Sequence, residues 1–486
     1  MTNSKPKTKN STLKTKYVSP LVERNASAEM AELFGAQKKF STWRQLWLQL
    51  AKAQKKLGLD IKQNQLSQMA KHLNDIDFAK AARYEKKFRH DVVAHIHTFA
   101  EAAPKAAPII HLGATSCLVT DNADLIIMRE AMRLIAAKLA AVIDSLGKFA
   151  KRYRKLPTLG YTHYQPAQLT TVGKRATLWC YEFVMDLQEI EHRLETLPFR
   201  GVKGTTGTQA SFLALFNGNH SKVRQLDKMV ADAFGFRKTC AVTGQTYPRK
   251  IDIQIVNCLT SIAQSAHKLC NDLRLLANLK ELEEPFGKSQ VGSSAMPYKR
   301  NPMRCERATA LSRLVLSLTT SPQMTASEQW FERTLDDSAN RRVAIPEAFL
   351  AVDGILEILI NVASGMVVYP KLIKSRVAAE LPFMATENIL MAAVKAGGNR
   401  QKLHDELRRH SHAAAAQVKN LGKKNDLLKR LRKSKAFRKV DFRKVLNAKS
   451  YVGRAPKQVN EFIRDFVTPI RKKYRNELNK KVELKV

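Results

Sequence analysis

The chain has 486 residues, 44% of them hydrophobic, which suits a globular protein but is too long for one compact core, so two or three domains are expected. Runs of about 18 consecutive apolar residues are missing, so no membrane-spanning helix is predicted. The charge is lopsided: 83 Lys and Arg against 43 Asp and Glu give +40, and residues 419–486 alone hold 23 basic and 6 acidic side chains.

Nucleic-acid binding, steering of a polyanionic small substrate and a merely solvated basic surface all fit that excess. The few aromatics in KKNDLLKRLRKSKAFRKVDFRK form no stacking platform, so nucleic acid is not the expected partner. The six cysteines, Cys117, Cys180, Cys240, Cys258, Cys270 and Cys305, are scattered without a C-x-x-C pair. They read as reduced thiols in a cytosolic protein, not as a disulfide frame or a zinc site.

In chain order, residues 1–16 are lysine-rich and carry neither an apolar signal core nor an arginine-bearing amphipathic face. They read as a disordered, solvated tail. Residues 39–57 repeat Trp43, Leu46, Trp47, Leu50 and Ala53 at helical spacing. Next comes FRHDVVAHIH, residues 88–97. The five-then-two spacing of His90, His95 and His97 is not the i, i+4 pair of a helical zinc site. Packed or hydrogen-bonded histidines are the expectation, with Arg89 and His90 suited to a phosphate or carboxylate.

HLGATSCLVTDNADL, residues 111–125, places a tight turn at Gly113. Thr115 and Ser116 follow, where hydroxyls either bind an anion or simply cap a helix. From Leu125 through Met128, Met132, Ile135, Leu139, Val142 and Leu146 to Phe149, apolar residues step by three and four without a break, the seam of one long helix. Asp121, Asn122 and Asp124 are placed to cap its start. GYTHYQPAQLTTVGKR, residues 160–175, reads as a polar turn ahead of a helix at 174–198. His163 there is either structural or an acid or base near neutral pH.

A second seam runs from Ile255 to Leu276 and another helix is expected at 304–320. Between them lies GSSAMPYKRNP, residues 292–302, an irregular loop whose two prolines each remove a backbone donor. It gathers hydroxyl, cation and amide: Ser293 or Ser294 as nucleophile or base, Lys299 as activating cation, Asn301 as donor. A mobile solvated loop is the plainer alternative. Beyond residue 368, Pro370, Gly397-Gly398 and the Gly453–Pro456 turn cut the pattern into small helices. Long helices with little sheet signal predict an all-α fold. Its parts are the tail 1–16, an N-terminal helical domain at 17–115, a central helix bundle at 116–368 and a small helical domain at 369–486.

Taken together, these loops resemble the fumarase/aspartase superfamily of lyases, for which GSSAMPYKRNP looks like the signature. SPLVERNAS, TWRQLWLQLA, RHDVVAHIHTF, HLGATSCLVTDNADLI, GYTHYQPAQLTTVGKR, TGQTYPRK and QWFERTLDDSANRR carry the likeness further, to the animal-type branch of the adenylosuccinate lyase family. It runs from about residue 17 to the turn at 453–456 and beyond. The resemblance implies three mostly helical domains, and a homotetramer with a twenty-helix core and active sites shared between subunits. It also implies β-elimination of fumarate from adenylosuccinate and from the succinyl-carboxamide intermediate SAICAR, in the cytoplasm and with no cofactor or metal. By motif position Ser293 would be the base and His163 the acid. Glu306 would orient His163, and Lys299 and Asn301 would hold the carboxylate that gathers charge. Arg24, Asn25, Arg89, His90, Asp91, Thr115, Ser116, Gln245, Arg307, Arg333, Ser338 and Arg342 would grip the rest of the substrate, Asn25 standing where the family usually has tyrosine. Arg333, Arg341 and Arg342 are equally placed to pair with Glu332, Asp336 and Asp337. Two other readings are an argininosuccinate lyase, and an inactive, basic nucleic-acid-binding protein on the same scaffold.

Overall fold

The computed structural model describes residues 17–287, 289–478 and Leu484; the tail expected at 1–16 lies outside them. The described residues are mostly helical, and the elements that position the site begin with α1 (Ala36–Lys56), α2 (Asp91–Ala102) and α3 (Thr120–Arg152). A hairpin of β1 (Pro157–Thr162) and β2 (Gln165–Thr171) leads into α4 (Val172–Thr196). Then come α5 (Lys250–Asn278), β3 (Leu282–Glu283), α6 (Met303–Leu318), α7 (Ser338–Gly365), β4 (Val367–Val368), α8 (Pro370–Met384) and α9 (Arg400–Leu421).

The seam read in the sequence is the buried stripe of α3: Leu125, Met132, Ile135, Leu139, Val142 and Leu146 are all 0% exposed. At 33 residues this helix is roughly 50 Å long, and it packs on α4 and α7. Helices α5 and α6 complete the bundle, α5 touching α4, α6 and α7. Helix α7 was not foreseen. It is buried on nearly every side, from Ala348 through Leu350, Val352 and Ile355 to Leu359, so no polar face marks it as amphipathic.

A charge sits inside this apolar packing. The Lys138 ammonium of α3 bonds Asp353 of α7 and lies 2.6 Å from Glu357. Asp353 also accepts the Ser27 backbone N–H at 2.6 Å, so the carboxylate that neutralises Lys138 ties the N-terminal segment to the bundle.

Two expectations are corrected. The segment from residue 160, read as a polar turn, belongs to an antiparallel hairpin, with Thr162 opposite Gln165 and a bulge between Leu159 and Tyr161. Its two-residue tip is His163-Tyr164, both at positive φ (51° and 57°), as a tight hairpin requires. The polar start of α3 is not a cap either. Asn122 bonds the Leu118 carbonyl (2.8 Å) and both the carbonyl and N–H of Gly201, while Asp121 accepts the Tyr247 N–H at 2.9 Å. These groups cross the bundle because Tyr247 and Gly201 bring unsatisfied backbone into a dry region.

Beyond the bundle, a separate apolar cluster gathers Ile389, Leu403, Leu407, Leu427, Leu431 and Phe437. All six cysteines are free and buried. His95 stacks on Phe40 at 3.7 Å between ring centres, and His97 stacks on Phe88 at 4.7 Å, so both are packing residues.

Candidate active site

A cleft of about 610 Å³ opens where the N-terminus of α2, the start of α3, the turn before α5 and the start of α7 converge. Its floor is a lattice of paired charges. Arg249 grips Asp121 with both terminal nitrogens (3.1 Å each) and Asp337 with Nε (2.6 Å). Asp337 also receives Arg333 at 2.8 Å. Beside it Arg341 bonds Asp252 (2.6 Å), Asp124 (3.1 Å) and the Tyr247 hydroxyl (2.5 Å). Burial alone would raise the Asp337 carboxyl, but Arg249 and Arg333 outweigh it and hold the group below the usual carboxylate range. Burial wins at Asp124, whose carboxyl is raised despite Arg341. The floor is therefore rigid and already charge-paired.

The local pairing expected for the three arginines holds only for Arg333 with Asp337. Arg341 reaches to Asp252 and Asp124, and Arg342 pairs with Asp91 at 3.2 Å. Arg341 sits one residue from Arg342 on a helix, so the two point to different sides, Arg341 inward and Arg342 to the rim.

The rim carries the hydroxyls and amides. Thr115 does not cap a helix; its hydroxyl accepts from the Gln245 side chain at 3.0 Å. Ser116 lies 3.4 Å from the His90 ring, whose other nitrogen accepts the Val93 N–H at 3.4 Å and so starts α2. Gly113 makes the turn before them at φ 72°, where a Cβ would lie 2.7 Å from Leu215. Of the residues singled out from the sequence, Arg89, His90, Asp91, Ser116, Gln245, Arg333, Ser338 and Arg342 line this one cleft. Lys39, Glu85, Asp124, Arg249 and Arg341 line it too. Arg341 was considered only as an ion-pairing residue. Asp124 was read only as a helix cap, and Lys39, Glu85 and Arg249 were not singled out, because a charge at helical spacing looks like any solvated face.

Thr115 stands behind the rim through its bond to Gln245, and it, His163, Ser293, Lys299, Asn301, Glu306, Arg307, Arg24 and Asn25 are not among the residues that line the cleft. His163 is exposed at the hairpin tip, and among the described residues no hydrogen bond joins it to Ser293, Lys299 or Glu306, the last exposed in the first turn of α6. Arg24 stands close enough to Arg307 that, after burial, it is the next cause lowering the Arg307 guanidinium. Asn25 is occupied locally: its amide donates to the Pro20 carbonyl at 3.1 Å, and its backbone packs against Gly354 of α7.

The loop 292–302 folds back on itself. A Cβ on Gly292 would lie 2.1 Å from the Lys299 carbonyl oxygen, so only glycine fits there. Asn301 fastens the closure by donating to the Gly292 carbonyl at 2.7 Å. Inside it the partly buried Ser293 hydroxyl oxygen accepts the Met296 N–H at 3.1 Å, whereas Ser294 is exposed. Buried Glu284 caps α6 by accepting the N–H groups of Arg304 (3.1 Å) and Cys305 (2.9 Å), fixing the loop's far end.

One buried carboxylate connects hairpin and loop. Glu281, just ahead of β3, accepts from Thr158 (3.2 Å) and Tyr161 (3.4 Å) of β1 and from Arg376 of α8 (2.9 Å). The strand carrying His163 and the strand leading to Ser293 therefore share one anchor.

Residues 25–316 match the family model described as Lyase, and residues 382–462 match that of the adenylosuccinate lyase C-terminus. The adenylosuccinate lyase of Saccharomyces cerevisiae is 54% identical over 468 residues, 95% of this chain and 97% of that protein. The chain belongs to the adenylosuccinate lyase family. The Schizosaccharomyces pombe adenylosuccinate lyase is 55% identical over 452 residues, 92% of this chain and 94% of its own. Among solved structures, the 3-carboxy-cis,cis-muconate lactonizing enzyme of Pseudomonas putida superposes with a TM-score of 0.78 at 20% identity, covering 94% of this chain and 100% of that one. A fumarate lyase from a Mesorhizobium species superposes at 0.75 and 22% identity over 90% of this chain and 98% of its own. Those two likenesses establish the fold. As a member of the adenylosuccinate lyase family, the protein is a lyase on the helical scaffold of the fumarase/aspartase superfamily.

Proposed function

We propose that the protein eliminates fumarate from adenylosuccinate to leave AMP, and from SAICAR to leave AICAR, in purine biosynthesis. The observation that carries this is the cleft, a pocket of about 610 Å³ with a charge-paired floor, whose rim offers Arg89, His90, Ser116, Gln245 and Ser338 to a phosphate-bearing, doubly carboxylated ligand. In the elimination, the proton on the carbon beside a succinyl carboxylate goes to Ser293. The electron pair of that C–H bond forms the C=C bond, and the C–N bond breaks as His163 protonates the leaving nitrogen. A serine hydroxyl is a poor base unless it is an alkoxide. The Met296 N–H, 3.1 Å from Ser293 Oγ, is aimed at the oxygen that must hold that charge. Lys299 supplies the second positive group, and Asn301, beyond pinning the loop, lies beside it for the carboxylate that gathers charge. Glu306 orients His163, and Arg24, Asn25, Thr115, Arg307, Arg333 and Arg342 complete the grip on the substrate, none of it needing a metal or cofactor.

His163 and Ser293 lie outside the cleft lining of a single chain, so we place the assembled site between subunits of a homotetramer in the cytoplasm. Exposed apolar side chains on the bundle helices, Leu178 and Met185 of α4, Leu275 of α5 and Leu314 of α6, supply surface for that association. In this assembly the chain divides into an N-terminal part to residue 115, the bundle to 368 and a C-terminal part beyond.

Loss of adenylosuccinate absorbance in the ultraviolet tests the assignment. The wild type is expected to turn over, and Ser293→Ala to lose at least ~10³-fold in kcat while still binding substrate. A wild type that cleaves argininosuccinate instead, or a Ser293→Ala variant near the wild-type rate, contradicts it.

A further inference from the structure

Arg249, Arg333, Arg341 and Arg342 each end on a carboxylate within 3.2 Å. Lys39 of α1 does not. Its ammonium reaches the same cleft, half-buried, and makes no hydrogen bond or ion pair with any described residue. The ammonium itself lies 5.3 Å from the Phe40 ring centre and 5.1 Å from that of Trp43, cation–π contacts that steady the head at the cleft without giving it an anionic partner among the described residues. The rim pair Asp91–Arg342 is part of its surroundings.

We propose that Lys39 is a further substrate-binding residue, its ammonium taking an oxyanion of the substrate, either the phosphate or a succinyl carboxylate. This rests on the activity proposed above and adds to it a ligand contact from α1. The physical case is one of unmet charge. An ammonium half out of water with no hydrogen-bonded or ion-paired partner is costly, and a bound oxyanion offsets that cost, whereas Arg249 and Arg341 are each already held by two carboxylates. Burial lowers the Lys39 pKa; Asp124, Asp91 and Glu85 oppose this from a distance, and Arg342 adds to it. The carboxylates around Lys39 thus shape the field without neutralising it by contact.

The test uses the full-length enzyme with Lys39→Met, which keeps the stem, and Lys39→Arg, which keeps the charge. For Lys39→Met the KM for adenylosuccinate should rise at least tenfold with kcat within threefold, and Lys39→Arg should recover most of the loss. Product inhibition names the group: AMP carries only the phosphate and fumarate only the carboxylates, and one of the two should weaken by the same factor. Unchanged KM and unchanged inhibition by both products in a folded Lys39→Met would overturn the proposal, leaving Lys39 as a balancing charge for Asp91 and Asp124. Lysine acetylation footprinting of the wild type needs no variant. Saturating AMP plus fumarate should cut Lys39 labelling severalfold, and equal labelling with and without them refutes the contact. If the wild type fails to turn over adenylosuccinate, the activity reading fails by itself, and the footprint with AMP and fumarate still decides whether Lys39 meets an anion.

Discussion

Replacing Gly292 by alanine adds one methyl group to the loop that carries Ser293 and removes no chemical group. That methyl carbon would stand 2.1 Å from the Lys299 carbonyl oxygen. A close carbon–oxygen contact needs about 3.3 Å, so the two strands of the loop must part by roughly 1.2 Å. The bond from Asn301 to the Gly292 carbonyl, 2.7 Å long, spans the same gap and is stretched or lost with it. Ser293 is the next residue, so its oxygen moves with the displaced backbone. A misplacement of about 1 Å in a reacting group costs on the order of 100-fold in rate, or about 2.7 kcal/mol in the barrier. The loop is largely exposed and contributes little to the core, so the melting temperature should stay within about two degrees of wild type. Stopped-flow or steady-state measurement of kcat on adenylosuccinate, paired with a thermal melt, reads both quantities. A Gly292→Ala enzyme with kcat within threefold of wild type would refute the reasoning. So would a kcat loss matched by a loss of folded protein, since the effect would then be unfolding and not misplacement.

Glu281→Ala should couple hairpin and loop failures. Removing a buried carboxylate that serves Arg376, Thr158 and Tyr161 is expected to cost about 3 kcal/mol and at least tenfold in kcat. Hydrogen exchange should rise in 157–171 before it rises in α3, and uniform exchange across both would count against a hairpin anchor. His95 and His111 are each pushed down to about 4, by burial first, with Arg44 adding to the effect at His95 and His90 at His111. Because the folded values are depressed, these neutral rings contribute stability that is complete above pH 6.5 and is lost as pH falls from 6.5 toward 4. At pH 5 the loss is up to about 2 kcal/mol for each ring. Urea unfolding at pH 7.5 and pH 5 should show it, and His95→Phe, which cannot titrate against Phe40, should shrink the difference by about half. An equal pH dependence in wild type and variant would exclude His95 as a source.

Much of the scaffold was legible because periodicity reports burial on one side. Helix α3 shows its seam because large apolar residues step by three and four along it while charges such as Arg133 and Lys148 interrupt the other faces, and α5 carries a like seam from Ile255 to Leu276. Helix α7 escaped because it is surrounded, and a helix that is apolar all round carries no period to read. The hairpin escaped for a different reason. Its turn is His163-Tyr164 and not the asparagine–glycine pair that signals such a turn, and Pro166 stands within its second strand. Ser293 could not be told from Ser294 by residue type, and only the motif position pointed to it; in the structure the two differ locally, Ser293 accepting the Met296 N–H while Ser294 is exposed.

By itself the sequence determined the class of fold and the long helices that carry an apolar seam, α3 and α5, because each depends on local pattern. Tertiary structure alone decided which charges remain available. Arg341 reaches Asp252 and Asp124, Arg249 reaches Asp121 and Asp337, and Lys39 is left facing the cleft without a bonded partner. Pairing is settled by distance in space between residues far apart in the chain. The composition counts an arginine and a lysine alike as one positive charge, and only packing tells which of them is already spent on a neighbour.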